Sequence, residues 1–463
     1  TRPTAGHTGL QCPKIPRMTR LSNGRPLWKG TMGPTNTRNL AHILILCLAV
    51  LTIQAVAQDF PAIKAKAELI SAEVHPGAIH GWHSNRLVMV AGTLYACATL
   101  PNPDGESPDQ PHKNPGAVFR REPDGKWSTV GTTSFPPYIL MADSQQRMWI
   151  LGASAWDTLH VLRTRLPRDF ATLEEVHQAK NAYFGASISP EDNVLVLWAT
   201  QQEQAAGKAN SLTADFYDAA QDKWYKSTIA TPEGRYGYEG ILLNKETALA
   251  VINSSLYDPE HADSAGGKYS WRHARLVASD DLHKKRWRNK PWLMPADGRT
   301  VLQDLILGND GNAYLSYAHV SAPSHIELLA ALHTPHYVAR IGHDLQVTEF
   351  ETGLRASATR LLVDASGEWY LLGRPESGGA LHLWALDAAN GFVPVREFVI
   401  EGSDVLEAYV VHSLRPERFG GESDGETIHL LSTRPARDAE GKDLGRAELW
   451  HVSFNLAEAK AKQ

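Results

Sequence analysis

The most persistent pattern along the chain is an apolar strand, a turn holding Asp, Asn, Glu or Gly, and a second apolar or aromatic strand. It reads LVMVAGTLYACA at 87–98, ILMADSQQRMWILGA at 139–153, ASISPEDNVLVLWAT at 186–200 and ILLNKETALAVINS at 241–254. It returns as LILGNDGNAYLSYA at 305–318, RLLVDASGEWYLLG at 360–373 and FGGESDGETIHLLST at 419–433. Short apolar runs bounded by turn residues predict strands joined as hairpins. The turn markers Ala91, Asp143, Asp192, Glu246, Asp310, Asp364 and Asp424 are spaced by 52, 49, 54, 64, 54 and 60 residues. A second, Trp-rich strand–turn–strand completes most units, as in GAVFRREPDGKWSTV (116–130) and ADFYDAAQDKWYKSTI (214–229). This period predicts an all-β fold: a seven-bladed β-propeller with four-stranded antiparallel blades over about 70–457. The last unit shows only ELWHVSFNL (448–456) before the chain ends. A strand near Leu69–Val74 is therefore expected to close the last blade and leave no free edge. A six-bladed ring and a two-sheet sandwich are the competing architectures. Helical patterning is confined to Phe170–Lys180 and the tail Ala457–Lys462.

Composition adds a compartment. The 463 residues are 43% hydrophobic and 21% charged, ordinary for a globular chain. Residues 1–57 hold seven basic residues and no Asp or Glu, so the other 406 carry 39 basic against 51 acidic, a net of −12. Such a body lacks the excess cations that neutralise phosphates, and no nucleic-acid partner is expected. The apolar run AHILILCLAVLTI (41–53) follows Arg38 and precedes Ala55-Val56-Ala57, the order of a secretory signal with its cleavage site. It is shorter than the ~20 residues a membrane span needs. With Met32 as the start, 1–31 reads as an upstream segment, 32–57 as the signal peptide and 58–463 as one propeller domain. The protein is expected to be secreted or periplasmic, monomeric and without a stable membrane span. Cys97 is the one cysteine beyond residue 57, so no internal disulfide can form.

Propeller topology locates a site without motifs. Each innermost strand starts at one face beside the central channel, and the second strand returns to that face. The turn markers lie at the opposite face and read as turn chemistry rather than catalytic carboxylates. The insertions 101–115, 201–210, 256–270 and 318–336 all follow second strands, and long loops on one face mark a binding surface. Ahead of the inner strands come Trp82, His83, Asn85, Arg86, Tyr138, Tyr183, Tyr238, Arg299, Arg360 and Tyr409; Trp156 and Arg374 follow second strands. Aromatic rings stack on sugars and guanidinium forks pair with carboxylates. A poly- or oligosaccharide is the expected partner, contacted by Trp82, Asn85, Tyr138, Trp156, Tyr183, Arg299, Arg374 and Tyr409. No cofactor is expected. A metal is the open alternative, through the pair His80 and His83 or the loop residues His319, His325, His333 and His336.

The segment Asn85–Tyr95, with Arg86 ahead of the first inner strand, resembles the opening of the sialidase-like propellers with Asp-box (BNR) repeats. The recurring D-x-x-G-x-aromatic hairpins resemble those repeats. The nearest match to the box S-x-D-x-G-x-x-W is Ser279-Asp280-Asp281-Leu282 to Trp287, which lacks its Gly, and sialidases have six blades. Seven-bladed members of the wider group include polysaccharide lyases that act on uronic-acid polymers, such as ulvan lyases. That resemblance implies degradation of an acidic saccharide by β-elimination, with His83 or Tyr238 as base and Arg86 or Arg360 neutralising the carboxylate. A hydrolytic route would draw two carboxylates from Asp157, Glu239 and Asp304, although Tyr238 and Glu239 point to opposite sides of an extended strand. A non-catalytic glycan- or protein-binding propeller and a redox propeller of the quinoprotein or copper type stay open, since fold does not choose among them.

Overall fold

The computed structural model describes residues 60–78, 84–102, 114–154, 158–180, 183–199, 212–231, 235–255, 273–293, 299–320, 334–408 and 410–461. The expected upstream segment and signal peptide therefore lie outside the described residues. The unit Phe60–Gln463 is nearly all β. It opens with β1 (Ala62–Lys64) and β2 (Lys66–Val74). Four-stranded sheets follow: β3 (Leu87–Val90), β4 (Thr93–Thr99), β5 (Gly116–Arg121) and β6 (Trp127–Thr133); then β7 (Pro137–Ala142), β8 (Met148–Ser154), β9 (Thr158–Thr164) and β10 (Leu173–Lys180). The next are β11 (Tyr183–Ile188), β12 (Val194–Ala199), β13 (Leu212–Asp218) and β14 (Lys223–Ile229), and β15 (Arg235–Asn244), β16 (Thr247–Ser255), β17 (His273–Ser279) and β18 (Arg288–Leu293). An eight-stranded sheet joins β19 (Arg299–Leu307), β20 (Ala313–Val320), β21 (Pro335–Ile341), β22 (Val347–Val363), β23 (Trp369–Pro375), β24 (His382–Asp387) and β25 (Val393–Glu401), with β1 parallel along the edge of β25. The long β22 pairs with β21 up to Arg355 and with β23 from Ala356, so it serves as outer strand of one four-stranded half and inner strand of the next. The final sheet is β26 (His412–Ser413), β27 (Thr427–Arg437), β28 (Asp443–Asn455) and β2. This repetition of antiparallel four-stranded sheets is that of a β-propeller.

The burial pattern explains the architecture. Strands β11 and β12 are buried almost throughout, whereas the outer strand β14 alternates exposed and half-buried positions. Inner strands lie between neighbouring sheets and need apolar side chains on both faces; outer strands meet water on one. One core cluster packs Val118, Met141, Trp149, Leu151, Phe184 and Trp198, drawn from three successive sheets. The turn markers behave as turns. Asp143 accepts from the backbone N–H of Gln145 and Arg147, and Asp192, at φ 67°, accepts from Ser144 of the preceding sheet at 2.7 and 2.6 Å.

The closing strand pairs as expected, with Leu69 opposite Trp450 and Val74 opposite Ala447. The tail forms the expected helix at Ala457–Ala461. Phe170–Lys180 is a correction: after a short 3-10 turn at Phe170–Thr172 the segment is strand β10, antiparallel to β9. Among the described residues no helix is long and apolar enough to cross a membrane.

Candidate functional site

The last hairpin is a correction: Phe419–Glu422, expected as its opening strand, instead ends a segment that organises the centre, and the innermost strand of that sheet is β26 at His412–Ser413. Leu414–Glu422, with the short helix α1 (Pro416–Phe419), crosses the turn ends of the inner strands. Glu422 N–H donates to Met89 O on β3 at 2.8 Å, and Gly420 bridges Ala142 on β7. Ser187 on β11 donates to Arg418 O at 2.8 Å, while Arg418 donates to Ile241 O on β15 at 3.0 Å and Leu305 O on β19 at 3.3 Å. Arg415 donates to Leu361 O on β22 at 2.7 Å. Glycine is required at 420: φ is 67°, and a Cβ there would sit 1.9 Å from Ala142 O. Six inner strands thus meet on one plug near their turn ends. Cavities of about 330 and 420 Å³ flank Glu417 there, each lined by a mixture of aliphatic and polar side chains.

Away from the plug, the inner strands bulge at a common level. Ladder register shifts at Pro137/Ile139, Gly237/Gly240, Leu302/Asp304 and Ser357/Arg360. Bulges re-aim side chains and gather beside functional sites. They release Tyr138, Tyr238 with Glu239, Gln303, and Ala358 with Thr359 from regular pairing. Tyr138 lies under the Arg86 guanidinium, 5.0 Å from ring centroid to Cζ, and edge-on to Phe184 at 5.9 Å. Burial pushes its hydroxyl up to about 12, with Arg86 opposing and Tyr183 adding to the shift. Gln303 accepts from Thr359 N–H at 3.2 Å, and Thr359 Oγ1 lies 2.9 Å from His336 Nε2.

Glu239 differs from these neighbours. It is fully buried, and neither carboxyl oxygen has a side-chain hydrogen-bond partner among the described residues. Burial raises its pKa to about 8, so the group is mostly a neutral acid at pH 7. Close packing of β11 on β15 holds it there: a Cβ on Gly185 would sit 1.9 Å from Glu239 O. In sequence Glu239 is only one of three available carboxylates, with Asp157 and Asp304.

Several expected site residues have framework roles. Asn85 Nδ2 donates to Leu87 O at 3.0 Å and Leu140 O at 2.9 Å, stapling β3 to β7. Arg86 is fully buried and donates to Pro137 O; Arg360 is 3% exposed and donates to Gln303 O. Neither guanidinium faces solvent as topology alone had suggested, and an acidic substrate finds no support in them. Arg374 donates to the carbonyls of Leu406, Glu407 and Ala408. Asp304 is held by Arg415 and by the N–H groups of Leu305 and Leu361 at 3.1 and 3.0 Å. Tyr183 is half-buried at the start of β11. Trp82, His83, Trp156, Asp157 and Tyr409 lie outside the described residues, as do the side chains of Tyr238 and Arg299, whose backbones belong to β15 and β19. Of the histidines weighed as metal ligands, His336 is buried, which lowers its pKa to about 3, while His80, His325 and His333 lie outside the described residues. Among the described residues no three His, Cys, Asp or Glu side chains gather as a metal site would require.

No protein-family model matches the sequence, and no curated protein does. Solved structures do match in fold. A family PL25 ulvan lyase bound to -[GlcA(1-4)Rha3S]- superposes with a TM-score of 0.56 at 9% identity, covering 86% of this chain and 99% of that one. The polysaccharide lyase Uly1 superposes with a TM-score of 0.51 at 10% identity, covering 87% and 94%. At such identities the likeness is one of fold, and the chain shares the β-propeller of these lyases.

Proposed function

We propose that the protein is a secreted propeller of seven blades, kin to the sialidase-like group, that cleaves glycosidic bonds in an acidic poly- or oligosaccharide at the open end of its channel. The observation that carries this reading is the set of inner-strand bulges, which lie on the side away from the Leu414–Glu422 plug. A division of the eight-stranded sheet at Ala356, where β22 changes partners, supports that blade count. The substrate class comes from the ulvan lyase that holds a glucuronate-containing saccharide. Cleavage proceeds by β-elimination or hydrolysis. His83 and Tyr238 are the proposed base and its partner, with the aromatic loops as sugar platforms. Secretion rests on the 32–57 leader pattern. The test is incubation with a panel of uronic-acid polysaccharides, read by absorbance of the unsaturated product and by new reducing ends. Absorbance with reducing ends indicates elimination, and reducing ends alone indicate hydrolysis. Tight binding with neither signal would replace the enzyme by a glycan-binding module.

A further inference from the structure

We propose that Glu239 is the general acid of this site, donating its proton to the glycosidic oxygen as the C–O bond breaks. The inference rests on the glycan-cleaving reading above. Either route needs that proton: an alkoxide is a poor leaving group, and a positioned acid is worth roughly 10²–10⁴-fold in rate. In elimination, a base removes the C5 proton, that electron pair forms the C4–C5 double bond, and the C4–O electrons pass to the oxygen that Glu239 protonates. In hydrolysis, water adds to the anomeric carbon while the bridging oxygen takes the same proton. Water then reprotonates Glu239 before the next turnover.

Three observations point to this carboxyl. It sits at an inner-strand bulge, between Gly237 and Gly240, at the level where Tyr138, Gln303 and Thr359 also leave the ladder. Of the carboxylates near the centre, Asp304 is fully occupied by Arg415 and two backbone N–H groups and Glu417 lies on the plug beside Arg415, whereas neither Glu239 oxygen has a side-chain partner among the described residues. A framework carboxylate would have been paired, because a buried polar group without a partner costs stability. Burial outweighs the one opposing contribution, from its own backbone N–H, and keeps the proton on. That is the state a general acid requires at neutral pH. The sign of the coupling to folding follows. A folded-state value raised from 4.5 to about 8 means the folded protein holds this proton more tightly than the unfolded chain. Its stability contribution is intact below about pH 4.5 and declines as pH rises through about 8.

The experiment compares wild type with Glu239→Gln. The acid role predicts a kcat loss of about 10²–10⁴-fold on the natural saccharide. On a synthetic substrate whose leaving group is dinitrophenolate, which needs no proton, the loss should shrink to within about tenfold. Wild-type kcat/KM should fall as pH rises through about 8, and the variant should lack that limb. Thermal unfolding gives a readout apart from activity: wild-type Tm should drop between pH 6 and 9, and the variant's should not share that drop. Equal activity of the two proteins on the natural saccharide, or equal losses on both substrates, overturns the assignment. Inactivity of the wild type across the whole saccharide panel overturns the functional reading itself, and the acid role with it.

Discussion

The Arg86 guanidinium lies in the interior beside the Cys97 thiol, and its Nε and Nη2 have no oxygen partner among the described residues. It gains one carbonyl, Pro137 O, and the face of Tyr138. Burial lowers its pKa, with the neighbouring Cys97 and Tyr138 opposing, and the Cys97 thiol is pushed up to about 11 by its own burial. That thiol is no nucleophile at neutral pH. A buried charge so sparsely paired adds little to stability in itself; what the side chain supplies is volume and a link between β3 and β7. Arg86→Ala should therefore cost about 2–4 kcal/mol through the cavity it leaves. Arg86→Met, which keeps most of the volume and removes the charge, should fall within about 1 kcal/mol of wild type or above it. Urea unfolding of the two variants decides: equal losses would mean that the charge, not the volume, holds this position.

Strand β2 is fastened by more than its ladder. Glu68 accepts from Arg121 of β5 at 2.7 and 2.8 Å, lies 2.6 Å from Lys66 Nζ, and meets His451 Nδ1 at 3.1 Å. His451 Nε2 in turn meets His429 Nδ1 at 3.0 Å. Burial alone would raise the Glu68 carboxyl, but the hydrogen bonds from Arg121, His451 and Lys66 prevail and hold it far below the usual carboxylate range. Burial lowers both histidines, His429 to about 4. All three shifts have the same sign in acid. Neutral histidines begin to cost stability as pH falls below their ordinary 6.5, and the Glu68 contribution fades as pH falls below 4.5. Amide exchange, corrected for intrinsic rates, should therefore show β2 and β28 losing protection between pH 7 and 5 before β12 does. Uniform loss across these strands would dismiss the relay as a local fastener. The same scale shows what the sequence could convey. Hairpins were legible because each writes its apolar–turn–apolar pattern locally. Phe170–Lys180 misled because its Leu, Glu, Gln, Ala and Lys favour helix. In place, Leu173, Val176 and Ala179 pack on the core and His177 stacks on Trp224 at 4.2 Å, so packing overrides propensity. The plug is hidden in sequence, where Phe419–Glu422 reads as a hairpin strand, because its partners lie on strands far away along the chain. Arg360 was read as an outward cation, and the bulge at Ser357/Arg360 turns it inward. Glu239 was visible as a letter, but its unpartnered burial exists only in the fold.

The regular spacing of turn markers made the repeating sheet architecture readable over the whole molecule, and the lone terminal strand 448–456 announced that the first strand must return to the last sheet. Closure is the property that unites the scales: the plug ties the inner strands together, while β1 and β2 seal the edges of β25 and β28. Ile63, Ile70 and Val74 carry the apolar part of that seal, at 0%, 8% and 0% exposure. Full burial of such side chains is worth about 1.5–3 kcal/mol each, so together they contribute roughly 5–9 kcal/mol. A domain's entire net stability is about 5–15 kcal/mol. The closing strands therefore command a share comparable to the whole margin, and their removal also strips the β28 ladder of its partner and leaves an open edge prone to aggregation. A chain lacking residues 60–74 should lose cooperative thermal unfolding or aggregate at ambient temperature. A synthetic peptide spanning Lys66–Val74, added in excess, should restore part of the transition by pairing with β28 as the native strand does. Cooperative unfolding of the truncated chain within a few degrees of the intact protein would show that the sheets are held by the plug and the inter-sheet cores alone.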